Sequence, residues 1–322
     1  MCGAALLPWA CGEEQAQPEA QPEVYEDEVP AFDGPQPGAD EPGARPWMNA
    51  EGFYEEDPRE LYQTLDGLLD EARGEAPRPA RAVLVPHAGL RYSGHIQASV
   101  FARVEVPEVV VILASDHNLE GAPLAIWGQG PWLVPGYAVG VRQDLSDRLR
   151  EAIPDLVQDE APFAGHPAEM QVVFLPHLNP EAQVVVVAIH DNSRNHFPDF
   201  TKERVEALGA ALAGFLQELE DEGQPALLLT TTDLVHREPL EVTRAKDERL
   251  RELIAALDVE GLHDYVTQEQ ISICGEVPTA LMMSALRHLG HREMEVISFG
   301  DSYDINNKPD SVTGYVGGIT WR

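Results

Sequence analysis

The sequence predicts an α/β fold, a single three-layer domain built on a mostly parallel central sheet. Three observations point there. Four apolar runs, "RAVLVP" (81–86), "VVVILAS" (109–115), "AQVVVVAIH" (182–190) and "PALLLTTTD" (225–233), lack polar alternation, as strands buried on both faces do. Helical candidates separate them, at Ile96 to Arg103, Leu145 to Ile153, Thr201 to Glu220 and Val242 to Leu257. The 322 residues with 43% hydrophobic content supply a substantial core, and no internal repeat or linker interrupts the chain after residue 50.

In chain order, residues 1–46 read as a disordered acidic tether, rich in Pro, Glu, Gln and Gly and poor in apolar residues. Its first part, "ALLPWACGEEQ", has the form of the end of a lipoprotein signal, with Ala10 before Cys11 and polar chain after it. The basic n-region and full apolar segment of an export signal are missing, so a remnant signal and a chance match both stand. On the first reading Cys11 is the lipidated residue and the protein is anchored at the cell envelope. On the second it is cytoplasmic.

The ordered domain is expected over residues 47–322. It opens with a helix that Asp57 caps, with Pro58 at its first position, Glu60 three residues after the cap, and one apolar stripe of Leu61, Leu65, Leu68 and Leu69. The strands and helices above follow, and a helix over Thr279 to Leu289 and strands over Glu295 to Phe299 and Tyr315 to Trp321 complete the chain.

Charge and cysteine content exclude several classes. Fifty-five acidic against 22 basic residues give a net charge of −33, a field that repels phosphate backbones and anionic headgroups, so nucleic acid is excluded as a partner. Residues 13–44 carry ten of the acids and no Lys or Arg, which leaves most of the charge on the domain, where it reads as a solubility or high-salt adaptation. No stretch reaches the roughly 20 apolar residues of a spanning helix, so membrane contact is expected only through a lipid anchor. Cys2 and Cys11 lie near the start and Cys274 stands alone, so no disulfide framework can be argued.

The polar residues follow a rule of open α/β sheets, in which sites collect at the carboxyl ends of strands. His87 follows the first run, Asp116 and His117 the second, His190 and Asp191 the third, and Asp233 and His236 the fourth. One histidine in such a place is usually structural. Four, if their strands are neighbours, converge on one rim, where neutral imidazoles suit a transition metal. Pro86 ends the first strand, and Gly89 is expected to let the backbone turn sharply after His87. Cys274 precedes a helix, whose dipole is expected to favour its thiolate. His166 and Glu169 are three apart and share one helix face if Pro167 starts a helix, as an acid/base pair, a supporting pair or a cap.

Seven motifs, "GFYEEDPRELYQTL", "VPHAGLRYSG", "ILASDHN", "GHPAEMQ", "TTTDLVHR", "ICGEVP" and "SVTGYVGGIT", make the chain resemble the Memo family over about residues 50–322. Bacterial members of that family are called AmmeMemoRadiSam system protein B. The resemblance implies a fold similar to the class III extradiol dioxygenases and a metal site of His87, His117 and Cys274 that takes iron or copper; the thiolate among the donors leaves zinc as a third option. It places His166, Asp233 and His236 at further pocket positions, with Asp116 beside them, and implies radical-SAM and AMMECR1-like proteins as pathway partners. Gly165, Pro167 and the spacing to Pro176 depart from the family pattern, as does Asn118, where some relatives have a second histidine.

Three functions follow from this ligand set. One is iron- or copper-dependent redox chemistry, with Asp233, His236 or Glu169 moving protons on a small-molecule or protein substrate. The second is a non-catalytic module that binds a ligand or protein in the same pocket. The third is zinc-assisted hydrolysis. A thiolate in place of a carboxylate changes the metal's preference, so ring cleavage does not follow from the fold.

Overall fold

The computed structural model describes Phe32, residues 36–191 and residues 200–322. Cys11, the expected lipidation position, lies outside the described residues. Among the described residues eleven strands occur in chain order: β1 (Arg78–Val85), β2 (Val104–Glu105), β3 (Val109–Asp116), β4 (Leu124–Ile126), β5 (Trp132–Val134), β6 (Tyr137–Val141), β7 (Val157–Gln158), β8 (Gln183–His190), β9 (Ala226–Thr231), β10 (Glu295–Asp301) and β11 (Gly314–Trp321). Along the sheet the order is β10, β11, β1, β9, β3, β8, β4, β7. The four apolar runs are its centre: β1, β9, β3 and β8 are neighbours and all parallel. Their carboxyl ends therefore share one rim.

Both faces of this centre are buried, which is why the runs lack alternation. Ala82 and Leu84 face one core with the helices Lys202–Asp221, Leu240–Ala255 and Glu276–His288, while Val83 and Val85 face the other with Pro58–Ala72 and Leu90–Phe101. The three expected layers are present. Between β10 and β1, β11 runs antiparallel to β1, so its first residues, Gly314 and Tyr315, lie at the same rim as the ends of β1 and β9.

Local signals placed most helices well. Asp57 accepts from the amides of Arg59 and Glu60 at 2.9 and 3.1 Å, and Leu61, Leu65 and Leu69 are buried beneath it. The helix expected from Ile96 starts at Leu90 instead. Ser93 and Gly94 are weak helix formers, but packing against Pro58–Ala72 overrides that preference. The helix Val259–Glu269 has no counterpart in the sequence reading. Among the described residues no helix is long and apolar enough to cross a membrane.

The packed chain begins ahead of the expected boundary between residues 46 and 47. Arg45 is 1% exposed and stacks over Trp132, its guanidinium 4.1 Å from the ring centroid. It meets the fully buried Glu169 at 2.5 Å and donates to the carbonyls of Phe163 and Gly165. Glu169 accepts further from Tyr54 Oη at 2.6 Å and from the amides of Met48 and Asn49. This ion pair clamps two segments at once, one carrying Phe53 and the other His166. Arg45→Ala leaves the carboxylate without its cation, and chemical denaturation should show a loss of roughly 3–5 kcal/mol. A loss below about 1 kcal/mol would mean that Tyr54 and the amides hold Glu169 unaided.

Candidate functional site

A cavity of about 650 Å³ opens at the rim, and His87, His117, His166, Asp233, His236 and Cys274 all line it. Three of the four strand ends converge there as expected. The fourth does not: His190 Nε2 lies 3.3 Å from Asp116 and 3.2 Å from the carbonyl of Glu120, and Asp191 accepts from the amide of Val277 at 2.7 Å. These residues brace the loops behind the cavity.

His87 is held from three sides. Pro86 ends β1, and the amides of His87 and Ala88 donate to Asp233 Oδ1 at 2.9 and 3.3 Å. Its Nδ1 lies 3.0 Å from Thr231 Oγ1, which also receives Gln171 Nε2, and its Nε2 lies 3.2 Å from Cys274 Sγ. With its proton on Nδ1, donated to Thr231, the ring turns a bare Nε2 lone pair into the cavity. Gly89 is required for a different reason from the expected one. Its φ is −55°, an ordinary value, but a Cβ there would sit 2.9 Å from the carbonyl oxygen of Gly52, so the segment that brings Phe53 to the cavity could not approach.

His117 and His166 complete a ring cluster. The His87 and His117 centroids are 5.0 Å apart, His117 and His166 are 5.1 Å apart, and Phe53 stacks on His166 at 4.2 Å. His117 Nε2 is buried and has no hydrogen-bond partner among the described residues. Asp116, expected beside the pocket, points away: its carboxylate accepts from the amides of Asn118 and Glu120 and so shapes the loop that presents His117. Glu169, expected to move protons, is saturated by the donors described above and does not line the cavity. The helix starts at Glu169 rather than at Pro167, and the two side chains part: His166 lines the cavity while Glu169 turns to Arg45 and Tyr54.

Cys274 is placed by backbone. Its amide donates to the carbonyl of Asp233 and its own carbonyl accepts from Thr232 Oγ1. Gly275 follows with φ +123°, where a Cβ would lie 2.6 Å from Thr232 Oγ1, so only glycine permits this approach. On the far side of the sulfur stands His236, its Nε2 at 3.1 Å. Nδ1 of His236 faces two carbonyls, of Leu234 at 2.8 Å and Ser272 at 2.9 Å. Carbonyls only accept, so Nδ1 carries a proton, and in the neutral ring Nε2 is left as the acceptor.

Burial governs the electrostatics. It pushes His87 well below the usual histidine value, His117 down to about 4 and His166 down to about 2, with neighbouring imidazoles adding repulsion to His87 and His166. Burial raises Asp233 above the ordinary carboxylate range, against the pull of His236 and the His87 amide. The expected lowering of the Cys274 thiol by the helix dipole does not occur. The residue is 3% exposed, and burial, then Asp233, push it well above the ordinary thiol value. All three trends disfavour charge in the absence of a cation, and a bound cation would reverse the last two.

Among the described residues two groups of donors could hold a metal: His87, His117 and His166, and His87, Asp233 and Cys274, each with its atoms within 4.8 Å of one another. The expected set of His87, His117 and Cys274 is neither of these groups: His87 belongs to both, His117 to the first and Cys274 to the second. The unpartnered Nε2 of His117 and the imidazole, thiol and carboxylate donors fit a transition-metal ion. The cavity also contains residues the sequence reading missed: Phe53, Tyr92, Arg237, Ser272, Thr313 and Tyr315. Tyr315 had a signal, since it opens the last predicted strand. The rule of carboxyl ends overlooks it because β11 runs antiparallel and brings its first residues to the rim.

Comparison with known proteins agrees with the seven motifs. A family model described as Memo-like protein matches residues 45–319. A MEMO1 family protein of Methanothermobacter thermautotrophicus is 27% identical over 278 residues, covering 83% of this chain and 96% of that protein. One from Aquifex aeolicus is 29% identical over 271 residues, covering 83% and 95%. In fold, the chain is similar to the crystal structure of an uncharacterized protein from Escherichia coli K12, with TM-score 0.50, 14% identity, and coverage of 74% of this chain and 98% of that one. The family model runs from the buried Arg45 through every residue of the cavity to Ile319, and the chain belongs to the Memo-like protein family.

Proposed function

We propose that the protein is a metal-dependent oxidoreductase that holds iron or copper at His87, His117 and Cys274 and acts on a small molecule admitted to the cavity. The observation that carries this reading is the buried, unpartnered Nε2 of His117, facing a cavity that also holds the His87 and Cys274 donors. Imidazole with thiolate favours copper or thiolate-bound iron over the harder cations. Such an ion supplies one-electron redox chemistry at an open coordination position.

The chain's own residues prepare and serve the site. His236 Nε2, 3.1 Å from the sulfur, accepts the thiol proton when Cys274 becomes a ligand. Asp233, whose Oδ2 lies 3.8 Å from His236 Nε2, is the second proton holder, because burial keeps its acid form accessible at higher pH than an ordinary carboxyl. Thr231 orients His87 through Nδ1, and Phe53 and Tyr315 wall the site.

Anaerobic purification should yield close to one iron or copper per chain, and Cys274→Ala should lose most of it. Unchanged metal content in that variant would remove the sulfur from the site. A chain that holds no metal under reducing conditions but retains a small molecule would support the binding-module reading, and activity restored by zinc alone would support hydrolysis. Thr231→Val removes the partner of His87 Nδ1 and should weaken metal binding roughly 10- to 100-fold with the fold retained. In the metal-free chain, lowering the pH from 7 to 5 protonates an ordinary histidine but should leave His117 neutral until about pH 4, which imidazole NMR can follow. A midpoint near 6.5 would show that water reaches the ring freely.

A further inference from the structure

Among the described residues Arg237 is the only lysine or arginine that lines the cavity. Its backbone is held in a left-handed conformation, φ +58°, that L residues seldom adopt. The residues on either side are pinned. The amide of His236 donates to Ser272 Oγ, which donates back to the His236 carbonyl, and Glu238 exchanges both backbone hydrogen bonds with Val312. Arg237 is thus forced outward between two fixed points, at the mouth of the cavity.

Its guanidinium makes no hydrogen bond, ion pair or ring contact among the described residues. The chain carries 55 acidic against 22 basic side chains, yet none of the acids described answers this one. Nearby, Lys246 is taken by Glu238 and Arg244 by Asp301 and Asp304. A fixed positive charge left unanswered beside a cavity, on a strained backbone, suits a planar oxyanion bound through two parallel N–H bonds. The aromatic walls formed by Phe53, Tyr92 and Tyr315 suit a flat apolar body behind that group.

We propose that Arg237 is a specificity residue that binds the carboxylate or phosphate of an aromatic small-molecule substrate, with the rest of the molecule directed toward His87 and Cys274. This rests on reading the cavity as a substrate site. The test is calorimetric binding of benzoate, phenyl phosphate and neutral benzamide to the full chain, to Arg237→Gln and to Arg237→Gly, with metal content measured on the same samples. At least one anion should bind the unaltered chain better than benzamide and lose about tenfold or more in Arg237→Gln, while benzamide binding and metal content stay unchanged. Benzoate alone responding assigns a carboxylate, and phenyl phosphate alone a phosphate. Arg237→Gly relieves the left-handed backbone, so its Tm should hold or rise while anion binding falls. Equal anion affinity in Arg237→Gln, no preference for the anions over benzamide, or a lower Tm in Arg237→Gly would each overturn the proposal. Arg237-dependent binding in a chain that takes no metal would sink the redox reading alone, and charge-blind binding in a metal-loaded chain would sink this one alone.

Discussion

Asp233 is the point on which the site depends. Its Oδ1 receives the amides of His87 and Ala88, and its backbone pairs with both Cys274 and Tyr315. Four segments far apart in the chain therefore meet at one residue at the end of β9. A buried amide left without an acceptor costs about 1–3 kcal/mol, so the loop that follows β1 has one low-energy place to go. The separation between the His87 nitrogen and the Cys274 sulfur, 3.2 Å, is set by this junction more than by either side chain.

Two buried carboxylates show how surroundings divide roles. Glu169 is met by a guanidinium, a phenol and main-chain amides, so its charge is answered and it serves to clamp the walls. Asp233 has no guanidinium or ammonium partner among the described residues. Its Oδ2 faces the imidazoles of His236 at 3.8 Å and His87 at 3.9 Å, and burial keeps His87 from charging. The interior around it is therefore short of positive charge. An ion there would meet that shortage and would turn the raised thiol into an anionic ligand. The stability of the rim and its chemistry are in this sense opposed: the donors that suit a cation are poorly solvated without one.

Much of this was legible locally. The both-face burial of β1, β3, β8 and β9 follows from unbroken apolar runs, and the Asp57 cap and its leucine stripe from spacing within a few residues. The strand-end rule found His87, His117, Asp233 and His236, since residue position along a strand determines which end a side chain occupies. It also proposed Asp116 and His190, which reach the same rim but turn into the loops. Direction at a rim depends on the torsions and hydrogen bonds of the loop, as in the capture of the Asp116 carboxylate by the amides of Asn118 and Glu120.

What the chain's sequence determined alone was the four central strands, most of the long helices, the family and the donors available at strand ends, because periodicity, capping and motif spacing are local properties. Tertiary structure decided the rest. Strand order made β1, β9 and β3 neighbours, the antiparallel entry of β11 brought Tyr315 to the rim, burial overcame the helix dipole at Cys274, and Arg45 drew Glu169 out of the site. Each of these depends on desolvation or pairing between residues tens to hundreds of positions apart, and no window along the chain contains both partners.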